Sequence, residues 1–418
     1  MTRRHVVVMV TTSYPRFPGD TIGTFMEPIA RGIAARGHAV HVVLPWHPRL
    51  ARGPVEDGVH FHPFRYAPHP GLNVFGYAAA LRADVHLRAA SYLAAPFALA
   101  ASYRTARRVA RDVGATLLHG HWLIPSGAVV TAATRVLPTV ISLHGSDVYV
   151  AERHGLARRA ARAALRRVDW ITACSDDLRA RAIALGADGA RAETIPYGVD
   201  VARFRPDAGL RAAGRLAMAA SPGDVIMFTA GRFVRKKGFE YLIDALGQLA
   251  PRWPSLRLVI AGGGDLDDEL RERARVRGVA DRVRFPGVLA QDDVAAHMAA
   301  ADIAIMPSVH DDAGNVDGLP NTVMEALASG TPLVATTVGG IPSVVTHGRT
   351  GWLVPERDAD ALAAAVEYLV RHAETRAALG RAAREETLSL RTWDKVAEGF
   401  ERVYDWAACR VEERHPRT

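Results

Sequence analysis

Cysteine is nearly absent from this 418-residue chain. Cys174 and Cys409 are the only two, far apart and without a C-x-x-C spacing. That argues against a disulfide framework and a thiolate zinc site, and it fits a reducing, cytoplasmic setting. Lysine is almost as scarce: three of the 52 basic residues are lysine, and two of those, Lys236 and Lys237, are neighbours. Long hydrophobic runs are missing as well. The longest nearly uncharged stretch, 89–103, has 15 residues with Pro96 inside it, short of the ~20 needed to span a bilayer. Five consecutive apolar residues, 6–10, follow the basic N-terminus; these are too few for a secretory signal and suit a first strand. What remains is ordinary globular composition, 49% apolar and 23% charged, which excludes a disordered chain. At about 150 residues per domain, the length calls for two to three domains.

The net charge of +8 is uneven. Residues 1–200 hold 24 Lys+Arg against 14 Asp+Glu, whereas 201–418 hold 28 against 30. A basic first half suits anionic partners such as nucleic acid, phospholipid headgroups or phosphorylated substrates. No basic–aromatic motif accompanies the charge, so nucleic acid is not an expected partner.

Short β-type runs alternate with helical runs, the pattern of parallel α/β sheets. In the first half, strands are expected at 5–12, 39–45, 59–66, 116–122, 139–144, 168–174 and 192–196. A helix is expected at 24–36, ended by Gly37, and a long helical stretch at 77–113, broken near Pro96. In the second half, strands are expected at 224–231, 256–261, 283–286, 303–307, 332–336 and 351–354, with helices at 239–249, 265–277, 292–300, 321–328 and 359–371. Each half reads as its own doubly wound sheet. The segment 201–222 shows no strand pattern and contains Pro206, Gly209, Gly214 and Pro222, which reads as a linker. The expected domains are therefore 1–200, a linker 201–222, 223–390, and a C-terminal helix 391–418 returning to the first domain. Two such domains would face a ligand-binding cleft with the carboxyl ends of their strands.

Two segments carry chemistry. In Gly231-Arg232-Phe-Val-Arg-Lys-Lys237-Gly238 a strand ends at Gly231 and a helix begins near Phe239. Arg232 and Lys237 then sit beside a helix N-terminus, an arrangement suited to a diphosphate; a solvated basic loop is the bland alternative. In Asp317-Gly-Leu-Pro-Asn-Thr-Val-Met-Glu325, Asp317 precedes a helix starting near Asn321 and Glu325 lies about one turn inside it. Carboxylates bond sugar hydroxyls, and first-turn N–H groups take phosphate oxygens. Taken singly, Glu325 could be a helix-dipole partner and Asp317 a turn residue.

From these residues onward the chain resembles the retaining GT-B glycosyltransferases of glycosyltransferase family 4. The matching pieces are Gly231-Arg232 with Lys237-Gly238, Ala261-Gly-Gly-Gly-Asp265, Phe285-Pro-Gly-Val-Leu289, Asp317-x(7)-Glu325-Ala, Gly330-Thr-Pro-Leu-Val-Ala335, Val338-Gly-Gly-Ile-Pro342 and Gly348-Arg-Thr-Gly-Trp-Leu-Val-Pro355. The first half adds Ser13-Tyr-Pro-Arg16 with 19–25, Leu143-His-Gly-Ser-Asp147 and Ile195-Pro-Tyr-Gly-Val-Asp200. The resemblance implies a GT-B fold of two Rossmann-like doubly wound domains. It implies that Gly231, Arg232 and Lys237 bind the donor diphosphate, that Asp317 touches sugar hydroxyls and that Glu325 holds the ribose. Gly318, Leu319, Pro320, Asn321 and Thr322 would border the sugar and diphosphate, and Val288 and Leu289 the base. His144 would face the transferred sugar, and the loop 19–23, with Gly23, would approach the donor phosphates. Two departures stand out. Asp317 is one methylene shorter than the family's usual Glu, and Gly19 and Gly23 are single where many members have a Gly-Gly pair.

The implied activity is retaining transfer of a sugar from a nucleotide-sugar donor to a glycan or lipid-linked acceptor in cell-envelope polysaccharide synthesis. Catalytic groups would be His144, Asp317, Glu325, Arg232 and Lys237. The rivals are a nucleotide-sugar epimerase, which needs a second acid–base group not apparent here, and a non-catalytic sugar-nucleotide-binding protein. No cofactor or metal is expected, since Arg232, Lys237 and the helix start would stabilise the leaving group; Asp265-Leu-Asp267 spells D-x-D but opens a helix, where acids are favoured. The pairs His60/His62 and His119/His121 lack further ligands at metal spacing and read as core or cleft histidines, His119-Gly-His121-Trp122 lining the acceptor side. Residues 156–168 form an amphipathic helix with Arg158, Arg159, Arg162, Arg166 and Arg167 on one half. Two readings stay open for it: a surface helix packed on its sheet, or a basic face on an anionic membrane, which would place the protein peripherally on the inner face.

Overall fold

Strand and helix alternate along the chain in two separate units, Met1–Pro196 with Trp393–Thr418, and Tyr197–Thr392. The computed structural model describes residues 3–20, 22–69, 72–73, 76–77, 81–82, 86–87 and 89–414.

In the first unit the central strand Val6–Val10 pairs in parallel with Ala39–Pro45 on one side and Leu117–His121 on the other. Val59–Phe64 extends the sheet beyond Ala39–Pro45; Thr139–Leu143, Trp170–Ala173 and Ala192–Thr194 extend it beyond Leu117–His121. Only the two-residue edge strand Val55–Glu56 is antiparallel among the strands of this sheet. The second sheet is wholly parallel, in the spatial order Val283–Arg284, Leu256–Ala261, Val225–Ala230, Ile303–Met306, Leu333–Thr336, Trp352–Val354. Numbered along the chain, that order is 3-2-1-4-5-6, the doubly wound Rossmann arrangement. Its strands are near-continuous apolar runs, such as the buried Ile226-Met-Phe-Thr-Ala230, because helices cover both faces.

Several expected elements are corrected. The segment 201–222, expected as a linker without strand pattern, contains a helix. Asp207 caps a helix, Ala208–Ala217, by accepting from Leu210 N at 2.9 Å, and that helix packs on Gln291–Ala300 within the second unit. The stretch 77–113 is not helical throughout: Leu81–Arg82 and His86–Leu87 form a two-stranded ladder. The helix Ala89–Asp112 then runs through Pro96 without ending there. One missing N–H is tolerated because Ala98, Ser102, Ala106 and Val109, spaced three to four apart, are buried where the helix packs on the sheet.

The last helix, Trp393–Arg414, belongs to the first unit. Val396, Phe400, Val403, Tyr404 and Ala407 join the core formed by Val7, Met9, Met26, Ile33 and Val140. Polar groups fix its register. Glu401 accepts from Arg36 at 2.6 and 2.9 Å and lies 3.2 Å from His38 Nε2, while Asp405 meets His5 Nε2 at 3.0 Å. Among the described residues, no helix is long and apolar enough to cross a membrane.

Candidate functional site

In the second sheet the strand order reverses between Val225–Ala230 and Ile303–Met306. Loops that leave the carboxyl ends of two such strands diverge to opposite faces and leave a crevice between them. The two sequence segments singled out for chemistry are those loops. After Ala230 the chain passes through Gly231 and Arg232 into a short 3-10 turn, Arg235–Lys237. The turn is stapled to the neighbouring loop, where Val309 N donates to Lys236 O at 2.9 Å. Gly238 follows at φ +63°, and a Cβ there would lie 2.0 Å from Pro307 O. Only glycine allows that close approach with that backbone. The helix Phe239–Leu249 starts from it.

The neighbouring loop carries Asp317. Its two carboxylate oxygens are divided between two ammonium groups: Lys237 Nζ lies 2.6 Å from Oδ2 and Lys236 Nζ 3.1 Å from Oδ1. All three side chains are largely withdrawn from water. Burial alone would raise the Asp317 carboxyl, but the charges and hydrogen bonds of Lys236 and Lys237 outweigh it and hold it well below the usual carboxylate range. Lys236 was not among the residues expected in the site. The signal for it was present, since two of only three lysines in the chain stand side by side here.

Gly318, Leu319 and Pro320 are buried and lead into the helix Asn321–Ser329. Pro320 at the N-cap supplies no side-chain acceptor, so no side chain of the cap competes with an anion at this helix start. Asn321 and Thr322 are half-buried at that turn. Glu325, one turn in, is buried and hydrogen-bonded to the Gln291 side chain. Burial pushes its carboxyl up to about 7, against the hydrogen bond from Gln291 and the fields of Lys237 and Arg203. Gln291 and Arg203 were not legible as neighbours of Glu325, because both come from distant segments.

Gly231 packs directly on Lys237, whose Cε would lie 3.2 Å from a Cβ at that position. Arg232 is exposed and Arg235 pairs with Glu269, so the lysines, rather than the arginines, converge on Asp317. Val288, 73% exposed, lies beside Gly263, and Leu289 is half-buried. The loop 262–264 is tied to the first by Phe233 N donating to Gly263 O at 2.9 Å. One sheet end therefore gathers Gly231, Lys236, Lys237, Asp317 and Glu325, with Val288 on the loop after the edge strand Val283–Arg284.

In the first unit, His144 follows the strand Thr139–Leu143. Its Nε2 lies 3.1 Å from His121 Nδ1, and its ring meets Phe25 and Trp122 at centroid distances of 4.7 and 4.9 Å. Phe25, two residues after Gly23, is thus a direct neighbour of His144 within this unit. Gly23, at φ +66°, is pressed against Ser13. Arg16 closes the loop through Asp20 with hydrogen bonds of 2.6 and 2.9 Å. Burial depresses both histidines, His121 to about 3 and His144 well below the ordinary value with a further push from His121. His119 does not line any ligand surface. It is fully buried and saturated, bonded to Tyr404 Oη at 2.9 Å and Ser142 Oγ at 2.7 Å.

Other singled-out residues fall outside these groups. His60 and His62 cluster with His41. Asp267 opens the helix Asp267–Val276 and pairs with Arg271. Among the described residues, no group of three or more His, Cys, Asp or Glu is placed to hold a metal ion. The helix Gly155–Arg167 buries Ala161, Ala164 and Leu165 and exposes all five arginines together with Leu156.

Comparison with known proteins follows the same division. Residues 22–203 match the family described as Glycosyltransferase Family 4, and 217–386 match Glycosyl transferases group 1. The chain is 31% identical over 402 residues to a GDP-mannose-dependent alpha-(1-6)-phosphatidylinositol monomannoside mannosyltransferase of Mycobacterium tuberculosis, covering 94% of this chain and 96% of that protein. It is 29% identical over 427 residues to a glycogen synthase of the same organism, covering 98% and 96%. Among solved structures it is similar to a sucrose-phosphate synthase of Thermosynechococcus elongatus, with a TM-score of 0.77, 20% identity and coverage of 97% and 100%. Anabaena HepE in complex with UDP-glucose superposes with a TM-score of 0.72 at 19% identity, covering 96% and 100%.

Proposed function

This chain belongs to glycosyltransferase family 4, and from that premise we propose that it transfers a hexosyl group from a nucleoside-diphosphate sugar, with retention, to a glycan or lipid-linked acceptor of the cell envelope. That it is a nucleotide-sugar-dependent glycosyltransferase follows from the family. The donor-site part of this reading is supported by one observation, that Lys236, Lys237, Asp317 and a helix N-terminus meet at the switch point of a Rossmann sheet; retention and the acceptor class rest on the family resemblance.

The assigned roles follow from chemistry. Lys237, Arg232 and the first-turn N–H groups of the Asn321 helix take the diphosphate. As the bond between the anomeric carbon and the phosphate oxygen breaks, the electron pair stays on the phosphate, and these donors stabilise the charge. The acceptor hydroxyl attacks from the face the diphosphate leaves and gives its proton to a phosphate oxygen, which accounts for retention without a separate base. By the family resemblance, Asp317 bonds sugar hydroxyls, Glu325 holds the ribose, and Val288 and Leu289 border the base. The sugar-facing role of His144 and the phosphate-approaching role of the Gly23 loop carry over from the family resemblance alone.

GDP-mannose is the first donor to test, because it is named for the M. tuberculosis relative; UDP-glucose is the second, being named for HepE. A thermal-shift screen of nucleotide sugars should raise the melting point, since ligand at 100 times its Kd stabilises by about 2.7 kcal/mol. The nucleotide sugar that shifts it should then be turned over with release of nucleoside diphosphate. No shift with any nucleotide sugar, and no such release, would refute the proposal.

A further inference from the structure

Two ammonium groups converge on one carboxylate in the donor site, and the arithmetic of that cluster is uneven. Lys236 takes Oδ1 of Asp317 and Lys237 takes Oδ2, leaving one net positive charge for an incoming diphosphate. A diphosphate that draws Lys237 toward itself pulls it from Asp317. With Lys237 as sole partner, that step would strand a largely buried carboxylate, which is strongly unfavourable. With Lys236 in place, the carboxylate keeps a cation throughout.

We propose that Lys236 is a positioning residue that holds the Asp317 carboxylate in place while the donor diphosphate recruits Lys237. The inference rests on the donor-site reading above. The geometry suits the role. The backbone of Lys236 is bound to the loop following Ile303–Met306, the same connection that carries Asp317, through Val309 N to Lys236 O at 2.9 Å. Gly238 lets the turn lie against Pro307. Both ends of the Lys236–Asp317 pair therefore ride on one stapled unit, whereas Lys237 sits against Gly231 at the strand end. Residue type fits as well. An ammonium is a compact charge on a flexible stem that can share ligands, whereas a guanidinium is a rigid planar fork. This chain uses arginine for all but three of its 52 basic residues and lysine for both of these.

The test uses the full chain, with GDP-mannose and UDP-glucose as donors and GDP and UDP as sugar-free probes. Donor hydrolysis and calorimetric binding are measured for Lys236→Met, Lys236→Gln, Lys236→Arg, Lys237→Met, Asp317→Asn and the double variant Lys236→Met/Asp317→Asn. Lys236→Met and Lys236→Gln should lower kcat/KM at least tenfold while their melting points confirm folding, and Lys236→Arg, which keeps the charge but not the compact ammonium, should recover only part of that loss. The acid limb of the pH–rate profile should move upward in Lys236→Met, because Asp317 loses one of its two cations. In binding, Lys236→Met should add less than twofold once Asp317 is already Asn. Parent-like activity of both neutral variants, or an undiminished binding loss in the Asp317→Asn background, overturns the inference: Lys236 would then be idle or a direct phosphate ligand. If Lys237→Met abolishes turnover while Lys236→Met does not, only this inference falls. If the parent binds none of the four probes, the donor-site reading falls and takes the inference with it.

Discussion

Replacing Glu325 by Gln should make the ligand-free protein more stable at alkaline pH while impairing its use of donor. Burial raises this carboxyl from 4.5 to about 7, which means that the folded state disfavours the ionised form. A carboxyl raised in this way contributes stability that is fully present below about pH 4.5 and is lost as pH climbs through about 7. A shift of that size corresponds to about 3 kcal/mol between pH 4 and pH 8. Glutamine keeps the shape and the hydrogen bond with Gln291 but cannot ionise, so it escapes the loss. The variant should therefore exceed the parent by about 3 kcal/mol at pH 8 and by under about 1 kcal/mol at pH 5. For a unit of roughly 200 residues this is on the order of 6–12 °C in melting temperature. The assay is a pair of melting curves across pH 5–8, read on the transition that responds to the substitution, alongside donor turnover. Turnover should fall at least tenfold, since an amide replaces the carboxylate that would hold the ribose. A variant no more stable than the parent at pH 8, or a gap that does not grow from pH 5 to pH 8, would refute the buried-carboxyl argument. A more stable variant with unchanged turnover would instead refute the ribose role.

Three other outcomes are expected. Lys237→Ala removes a charge-assisted contact of about 1.5–3 kcal/mol, so donor turnover should fall at least tenfold; unchanged turnover would remove Lys237 from the donor site. Activity should survive EDTA, because the leaving group is held by Arg232, Lys237 and helix N–H groups; loss on chelation with recovery in magnesium or manganese would return attention to Asp265 and Asp267. If the arginines of Gly155–Arg167 rest on an anionic surface, at about 1 kcal/mol each, the protein should sediment with anionic vesicles at low salt. It should sediment far less after Arg158, Arg162 and Arg166 become Gln, and less again as salt screens the charge; equal sedimentation of variant and parent would leave the helix a solvated face.

Much of the fold could be read from the chain because the signals are local. The strands at 225–230, 256–261 and 333–336 are apolar runs bounded by turn residues, and such runs alternating with helical periodicity leave few topologies besides a parallel doubly wound sheet. The starts of the helices at Asn321 and Ala359 were legible for the same reason: a proline or an aspartate stands at each N-cap. The spacing from Asp317 to Glu325, and Gly238 after two lysines, marked the two candidate loops without any tertiary knowledge.

What tertiary structure alone decided were the partnerships between segments distant in sequence. The adjacent lysines marked the loop, but the partner of Lys236 is decided only when the loops after the first and fourth strands meet and bring it to Asp317. Glu325 gains its raised carboxyl only when the helix is buried beside Gln291, and a pKa depends on solvent exclusion rather than on spacing. His119 read as a core or cleft histidine, and Tyr404, from the far end of the chain, decides for the core. Pro96 and the segment 201–222 misled for the complementary reason: helix rules describe a chain in water, whereas packing on a sheet or on the Gln291–Ala300 helix supplies stabilisation that those rules do not count.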